Sequence, residues 1–278
     1  FLPAARLRRT PRVAQLALSA AHEALGRPPA GAPPPVLDRY DPDRVAVVLG
    51  TGLGNLEQTA DFTLAYLRGG PEDASPALFP VTVMNATAGF FAMEWQLRGP
   101  NITVNHRDLS LAEALACARD QLVLGRADAV LCGGFDELGP WTAHSYQRFG
   151  ALSSDRARPY DRRRDGVALG ECGAVFLLER EADARARGAD ILGRLIGIGR
   201  GGDDRPRVGY LRPGSEPGDG APTRGAVTAI RAALAQAGAT PAALSLVLGG
   251  GDGGPVDALE TAVLREALGA AADTVPVS

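Results

Sequence analysis

The chain is 278 residues long and 45% hydrophobic, enough for a large core and for more than one ordinary domain. Its 29 basic residues stand against 32 acidic ones, for a net charge of −3, which excludes the clear basic excess of a nucleic-acid-binding protein. All 29 are arginines, so lysine Schiff-base and lysine general-base chemistry are excluded within these residues.

In chain order, Thr10 and Pro11 read as a helix N-cap and first helical residue. Val13, Leu16, Ala17, Ala20, Ala21 and Ala24 then share one face at helical spacing, and Gly26 ends the run. Residues 27–35, rich in Pro and Ala, are expected as a loop. Val45 to Leu49 is a short apolar run of the kind a buried strand makes. Residues 85–97 are predicted helical, ending at Gly99-Pro100. Residues 102–104 are a predicted strand, 110–124 a helix of small residues and 127–132 a strand. A strand over 174–178 leads into a charged helix ending near Gly188. Residues 191–198 alternate and are predicted as a strand with one polar face. Residues 205–222 carry Gly and Pro throughout and are expected to be irregular. Helices over 223–237 and 256–268 flank a strand over 246–248.

Strands alternating with helices, several of them apolar without a break, point to a sheet covered on both faces, hence an α/β fold. A division between two α/β blocks is placed at residue 200. Cys117, Cys132 and Cys172 are odd in number and far apart, so no CxxC motif arises and free thiols of a reducing compartment are expected. No apolar run has the length of a membrane span, and the first six residues lack the shape of a signal peptide. A cytoplasmic location is the expectation.

Gly50-Thr51-Gly52-Leu53-Gly54 by itself is a tight strand-to-helix turn, without the third glycine of a dinucleotide fingerprint or the Lys of a P-loop. Further stretches follow it in a definite order. They are Asn85 to Gly89, Gly99 to Val104, Gly125 to Asp128, Gly133 to Asp136, Ala151 to Ser153, Arg158-Pro159-Tyr160-Asp161, Arg164-Asp165-Gly166 and Gly170-Glu171-Cys172-Gly173. Together they resemble the β-ketoacyl synthases of the thiolase fold, from about Leu7 to Ser278. The resemblance implies a layered αβαβα fold lacking its first strand and its C-terminal elements. Residues 1–200 would be an N-terminal ketosynthase-like half, and 201–278 the start of an incomplete C-terminal one. The chain is accordingly expected to belong to a longer polypeptide.

That family's chemistry requires a Cys on a strand-to-helix elbow, where the helix N-terminus lowers the thiol pKa and backbone N–H groups bind the oxyanion. Two His residues then assist decarboxylation of the extender unit. Counted from Gly99-Pro100, the nucleophile position is Asp108, in Asn105-His106-Arg107-Asp108-Leu109-Ser110, and a carboxylate forms no usable thioester. The first His position falls on Gly250, in the loop Gly249 to Gly254, while Asp257 and Glu260 match the helix that follows. The second would come after Ser278. No catalytic residue and no metal are therefore expected. The resemblance implies a chain-length-factor-like subunit that completes a heterodimer with a ketosynthase and borders the acyl tunnel. Its acyl carrier protein partner would bring the phosphopantetheine, the chain itself holding no cofactor. Neither a nucleic acid nor a membrane is expected as a partner.

Asp108 is expected to cap the helix after it, and His106, Arg107 and Asp108 to line the interface or the partner's pocket. An acid/base pair of His106 and Asp108, serving an acyltransferase or hydrolase, is the enzymatic alternative. Residues two apart in extended chain point to opposite faces, which argues against it. A standalone acyl or carrier-protein binder is the third reading. Phe90 and Phe91 belong either to the acyl tunnel or to the core. Cys117, nine residues after Asp108, reads as a small buried residue rather than a displaced nucleophile, and Trp95 and Trp141 as packing residues. Arg156, Arg158, Arg162, Arg163 and Arg164 either attract an acidic carrier protein or pair with Asp155, Asp161 and Asp165.

Overall fold

A computed structural model describes residues 10–27, 34–202 and 224–278 of the chain. The expected irregular stretch 205–222 and most of the expected loop 27–35 lie outside the described residues. The chain divides into two units: Phe1–Thr142 with Gly170–Ile191, and Ala143–Leu169 with Leu192–Ser278. The second unit thus draws one segment from well before residue 200.

The first unit is a four-stranded sheet. Val45–Gly50 (β1) is buried along its whole length and leads through the glycine-rich turn into Leu56–Gly69 (α2). Asn101–Val104 (β2) and Ala129–Asp136 (β3) flank β1 in parallel, Val48 pairing with Ile102 on one side and Cys132 on the other. Cys172–Glu179 (β4) runs antiparallel to β3, so the order is β2-β1-β3-β4. Among the described residues, β2 and β4 are each hydrogen-bonded on one side only.

Arg12–Ala24 (α1) and Ala86–Trp95 (α3) contribute to one core, with Val13, Leu18, Phe91 and Trp95 clustered around Val47, Leu49 and Leu131. Ser110–Val123 (α4) contributes to the other, where Ala114 and Ala118 meet Ala46, Val48, Val130 and Cys132. Both faces of the sheet being covered explains why β1 reads as an uninterrupted apolar run. Burial, and then Cys117 beside it, pushes the Cys132 thiol up to about 12, so it packs as an inert side chain. Cys172, by contrast, is exposed.

Pro140–Phe149 (α5) and Glu181–Ala186 (α6) complete the helices before residue 190. Neither α2 nor α5 stands out in the sequence, because α2 has no buried residue and α5 only Thr142. The expected Thr10 cap is not made: Pro11 is the N-cap residue of α1, and the Thr10 carbonyl accepts from the Gln15 side chain at 2.7 Å. The fixed φ of Pro11 sits with an extended ψ of 149°, which delays the helix by one residue.

At the N-terminal end of β3, Asp128 accepts two bonds from Arg44, at 2.8 and 2.9 Å, and one from Arg180 at 2.8 Å. These bonds, Arg44's first and Arg180's second, hold its carboxyl well below the ordinary range. A carboxylate lowered in this way stabilises the fold above its unfolded pKa of about 3.9 and loses that contribution as pH falls. In acid titrations of unfolding free energy, Asp128→Asn is expected to respond less than the parent chain below about pH 4. Parallel curves would show that the pairing contributes nothing.

In the second unit, Arg224–Ala237 (α7) packs on Val256–Leu268 (α8) through Val227, Val263, Leu264 and Ala267. The strand predicted over 191–198 does not form. Gly197, Gly199 and Gly201 lie on the α7 backbone, where a Cβ would stand 2.3, 1.7 and 1.9 Å from the carbonyl oxygens of Ala233, Ala229 and Gly225. Within the alternating run Gly197 is thus seated on a helix while Gly193 has open space beside it; among the described residues no neighbouring strand pairs with the segment. The strand predicted over 246–248 reduces to one bridge, between Val247 and Val277. Among the described residues, no helix is long and apolar enough to cross a membrane.

Candidate functional site

Two loops carry the positions singled out by sequence, one in each unit. The first is the elbow between β2 and α4. Asp136, at the end of β3, clasps the turn after β1: its carboxylate accepts from the Thr51 hydroxyl at 2.8 Å and from the Gly52 and Leu53 N–H groups, both at 2.9 Å. The Asn105 side chain donates to the Thr51 carbonyl at 2.9 Å and so ties the elbow to that turn. The Ser110 hydroxyl oxygen accepts from the His106 N–H at 2.9 Å and lies 2.6 Å from the Arg107 carbonyl.

The cap expected of Asp108 is not made: Leu109 is the N-cap residue and no side chain caps the helix, while Ser110 ties the elbow to the turn after β1. Arg107 has a left-handed φ of 51° and the next residues form a 3-10 turn, so the α-helix begins only at Ser110. Asp108 makes no capping bond and is exposed, as are His106, Arg107 and Leu109. A left-handed arginine costs about 1–2 kcal/mol and persists because Asp136, Asn105 and Ser110 over-determine the turn. Among the described residues, the His106 and Asp108 side chains make no hydrogen bond or ion pair, so the acid/base pair of the enzymatic alternative is not formed. The elbow offers a carboxylate, an imidazole and a guanidinium to whatever covers it.

The second loop, Gly249 to Gly254, is held from within. The Gly250 N–H donates to Glu260 at 2.8 Å, and the Gly251 N–H to the Tyr160 hydroxyl at 3.1 Å. Asp257, which is 2% exposed, accepts from Asp252 and Gly253 at 3.1 and 3.2 Å, and Gly254 donates to Asp252 at 2.7 Å. Gly249 donates to the Ser278 carbonyl at 2.8 Å. All six N–H groups are committed, and no side chain of the loop is basic. Gly250 is exposed. The loop thus supplies neither a histidine nor a free N–H donor for an oxyanion.

The remaining candidates separate clearly. Phe91 is fully buried and edge-on to Trp95 at 5.4 Å, in the core beside β1; Phe90 is half-buried against the same cluster. Cys117 is half-buried against the opposite core. Trp141 is 37% exposed and no core residue, because α5 buries only Thr142; its backbone N–H donates to the Glu57 carboxylate. Arg158 pairs with Asp155 at 3.0 Å and Arg163 with Asp161 at 3.1 Å, whereas Arg156 and Arg162 are exposed. Thr51, Asn105, Ser110, Asp136 and Tyr160 escaped notice as site residues. The available signal was an acid closing β3 beside a glycine-rich turn closing its neighbour.

Over residues 2–184 the chain matches the family described as β-ketoacyl synthase, N-terminal domain. The chain belongs to the β-ketoacyl synthase family. One relative of this β-ketoacyl synthase chain is the 3-oxoacyl-[acyl-carrier-protein] synthase 2 of Vibrio cholerae serotype O1. It is 32% identical over 236 residues, which are 82% of this chain and 55% of the relative. Among solved structures, the ishigamide ketosynthase/chain length factor is 27% identical with a TM-score of 0.76, covering 95% of this chain and 62% of that one. A type II PKS acyl-carrier protein in complex with its ketosynthase shares the fold at 23% identity and a TM-score of 0.80, covering 96% and 65%. The fold is thiolase-like, and the chain spans a little over half the length of the relative it matches.

Proposed function

We propose that this chain serves β-ketoacyl chain elongation as a non-catalytic, chain-length-factor-like partner of a working synthase, completing a heterodimer and bordering the acyl tunnel. The observation that carries the reading is the exposed Asp108 on a strained elbow, where the family places its nucleophilic Cys. The glycine loop supports it, since Gly250 stands where a His is expected and every loop N–H is engaged. In this reading β2, paired on one side among the described residues, offers its other edge to the synthase. Exposed His106, Arg107 and Asp108 then border the partner's pocket. The acyl carrier protein supplies the phosphopantetheine, and exposed Arg156 and Arg162 add a cationic surface toward an acidic carrier. A cytoplasmic setting suits such a complex.

Intact-mass spectrometry after incubation with acyl- and malonyl-loaded carrier protein tests the proposal. The chain alone is expected to gain no acyl adduct, and a synthase encoded beside it to give products of altered length when the chain is present. A covalent adduct or an extended product from the chain alone would overturn the reading and return attention to Asp108, His106 and Cys117.

A further inference from the structure

Of the glycines in the loop 249–254, only some are required by backbone conformation, since only Gly253 is left-handed, with φ 87°. Gly249 and Gly251 are explained by what stands next to them. A Cβ on Gly249 would lie 2.0 Å from the Tyr160 hydroxyl oxygen, and one on Gly251 would lie 2.5 and 2.6 Å from the Tyr160 ring carbons Cε2 and Cζ. On Gly250 the nearest atoms are the Glu260 carboxylate oxygens, at 3.8 and 3.9 Å.

Tyr160 cannot simply move aside. Its backbone is left-handed, with φ 59°, and its N–H donates to buried Asp257 at 2.7 Å. Its hydroxyl donates to Glu260 at 2.7 Å while accepting from the Gly251 N–H. Both functions of the phenol oxygen are satisfied, and both tie the residue to the loop it faces.

We infer that Tyr160 is the positioning residue that makes this loop a wall without side chains: its hydroxyl fills the place of a Cβ at 249 and its ring fills that at 251. Position 250 is left as the one with room on this side, directly beside Glu260. A side chain restored at 249 or 251 therefore displaces Tyr160, and with it the bonds to Asp257, Glu260 and Gly251. The inference concerns the second unit alone, so it stands or falls separately from the heterodimer.

The test follows from the difference between an oxygen and a ring. Urea unfolding of the full chain is measured for Gly249→Ala, Gly251→Ala, Tyr160→Phe and the two double variants. Removing the hydroxyl is expected to rescue Gly249→Ala, with a coupling of about tenfold in the unfolding equilibrium, usual for contacting residues. It is expected to leave Gly251→Ala unrescued, because the ring remains. Should Gly249→Ala fail to fold, a folded Tyr160→Phe/Gly249→Ala chain gives the same answer. Additive effects at 249, or equal rescue at both positions, overturn the inference. A second readout uses the parent chain: burial first, and then Glu260, push the Tyr160 phenol up to about 12. Ultraviolet titration, taken as the difference from Tyr160→Phe, is expected to find that value and to find it lowered in Glu260→Gln. An ordinary phenol in the parent chain would place the hydroxyl elsewhere and refute the assignment.

Discussion

Gly50→Ala is expected to lower the thermal midpoint of the chain by about 6–12 °C, which corresponds to about 3 kcal/mol in a unit of this size. Gly50 ends β1, and a Cβ there would stand 2.4 Å from the Ser110 carbonyl oxygen, 2.5 Å from its carbon and 2.8 Å from the Leu111 nitrogen. All three are backbone atoms at the start of α4, so no rotamer change relieves the contact. Overpacking ordinarily costs about 1–3 kcal/mol, and more where nothing can yield. The displaced element is the elbow itself, which Asn105 and Ser110 tie to the same turn. Gly89→Ala is the control. Gly89 lies in α3 with nothing within 4 Å of the place a Cβ would take, and a helical Gly→Ala exchange gains about 0.5–1 kcal/mol. Circular dichroism melts of both variants decide the matter, and a Gly50→Ala midpoint equal to the parent's would show that α4 slides freely over β1.

Phe91→Ala is expected to destabilise the first unit by about 3–5 kcal/mol, the usual cost of emptying a large aromatic site in a core. Phe91 is fully buried, shares its cluster with Val47, Leu49 and Leu131, and meets Trp95 edge-on. A residue lining an open acyl tunnel would have water or ligand on one side, and truncating it would change product length with little effect on folding. Denaturant unfolding separates these outcomes: a loss below about 1 kcal/mol would be too small for a core phenylalanine and would return Phe91 to the tunnel. Phe90, half-buried beside it, is the better position at which to look for an effect on chain length.

Much of the first unit was legible in the sequence because its inner strands are covered on both faces. Val45 to Leu49 and the run before Gly133 are apolar for that reason, and β1 and β3 fall on them; the run after Gly173 is apolar too, although β4 buries none of its residues fully. Periodicity failed where burial is weak. α2 turns no residue fully inward, and the alternating run 191–198 pairs with no strand among the described residues, its Gly197 lying on α7 instead. At the site, Asp108 and Gly250 could be placed by motif alone. The roles of Ser110, Asn105 and Asp136 could not, because each depends on a hydrogen bond to a residue at least 50 positions away or on a left-handed turn at Arg107. Tyr160 was visible as part of a motif, but its task lies 91 and 100 residues downstream, at Gly251 and Glu260.

That separation has a bearing on how the protein is made. The segment Ala143–Leu169 belongs to a unit whose other residues begin at Leu192. At ribosomal speeds of roughly 5–20 residues per second, Tyr160 leaves the tunnel about 5–20 s before Glu260 does. For most of that interval Tyr160 lacks its partners Gly251, Asp257 and Glu260, while β1 to β4, the strands that pair among the described residues, are already made. The order of synthesis therefore favours early pairing of β1 to β4 and late bonding of Tyr160 to the loop it faces.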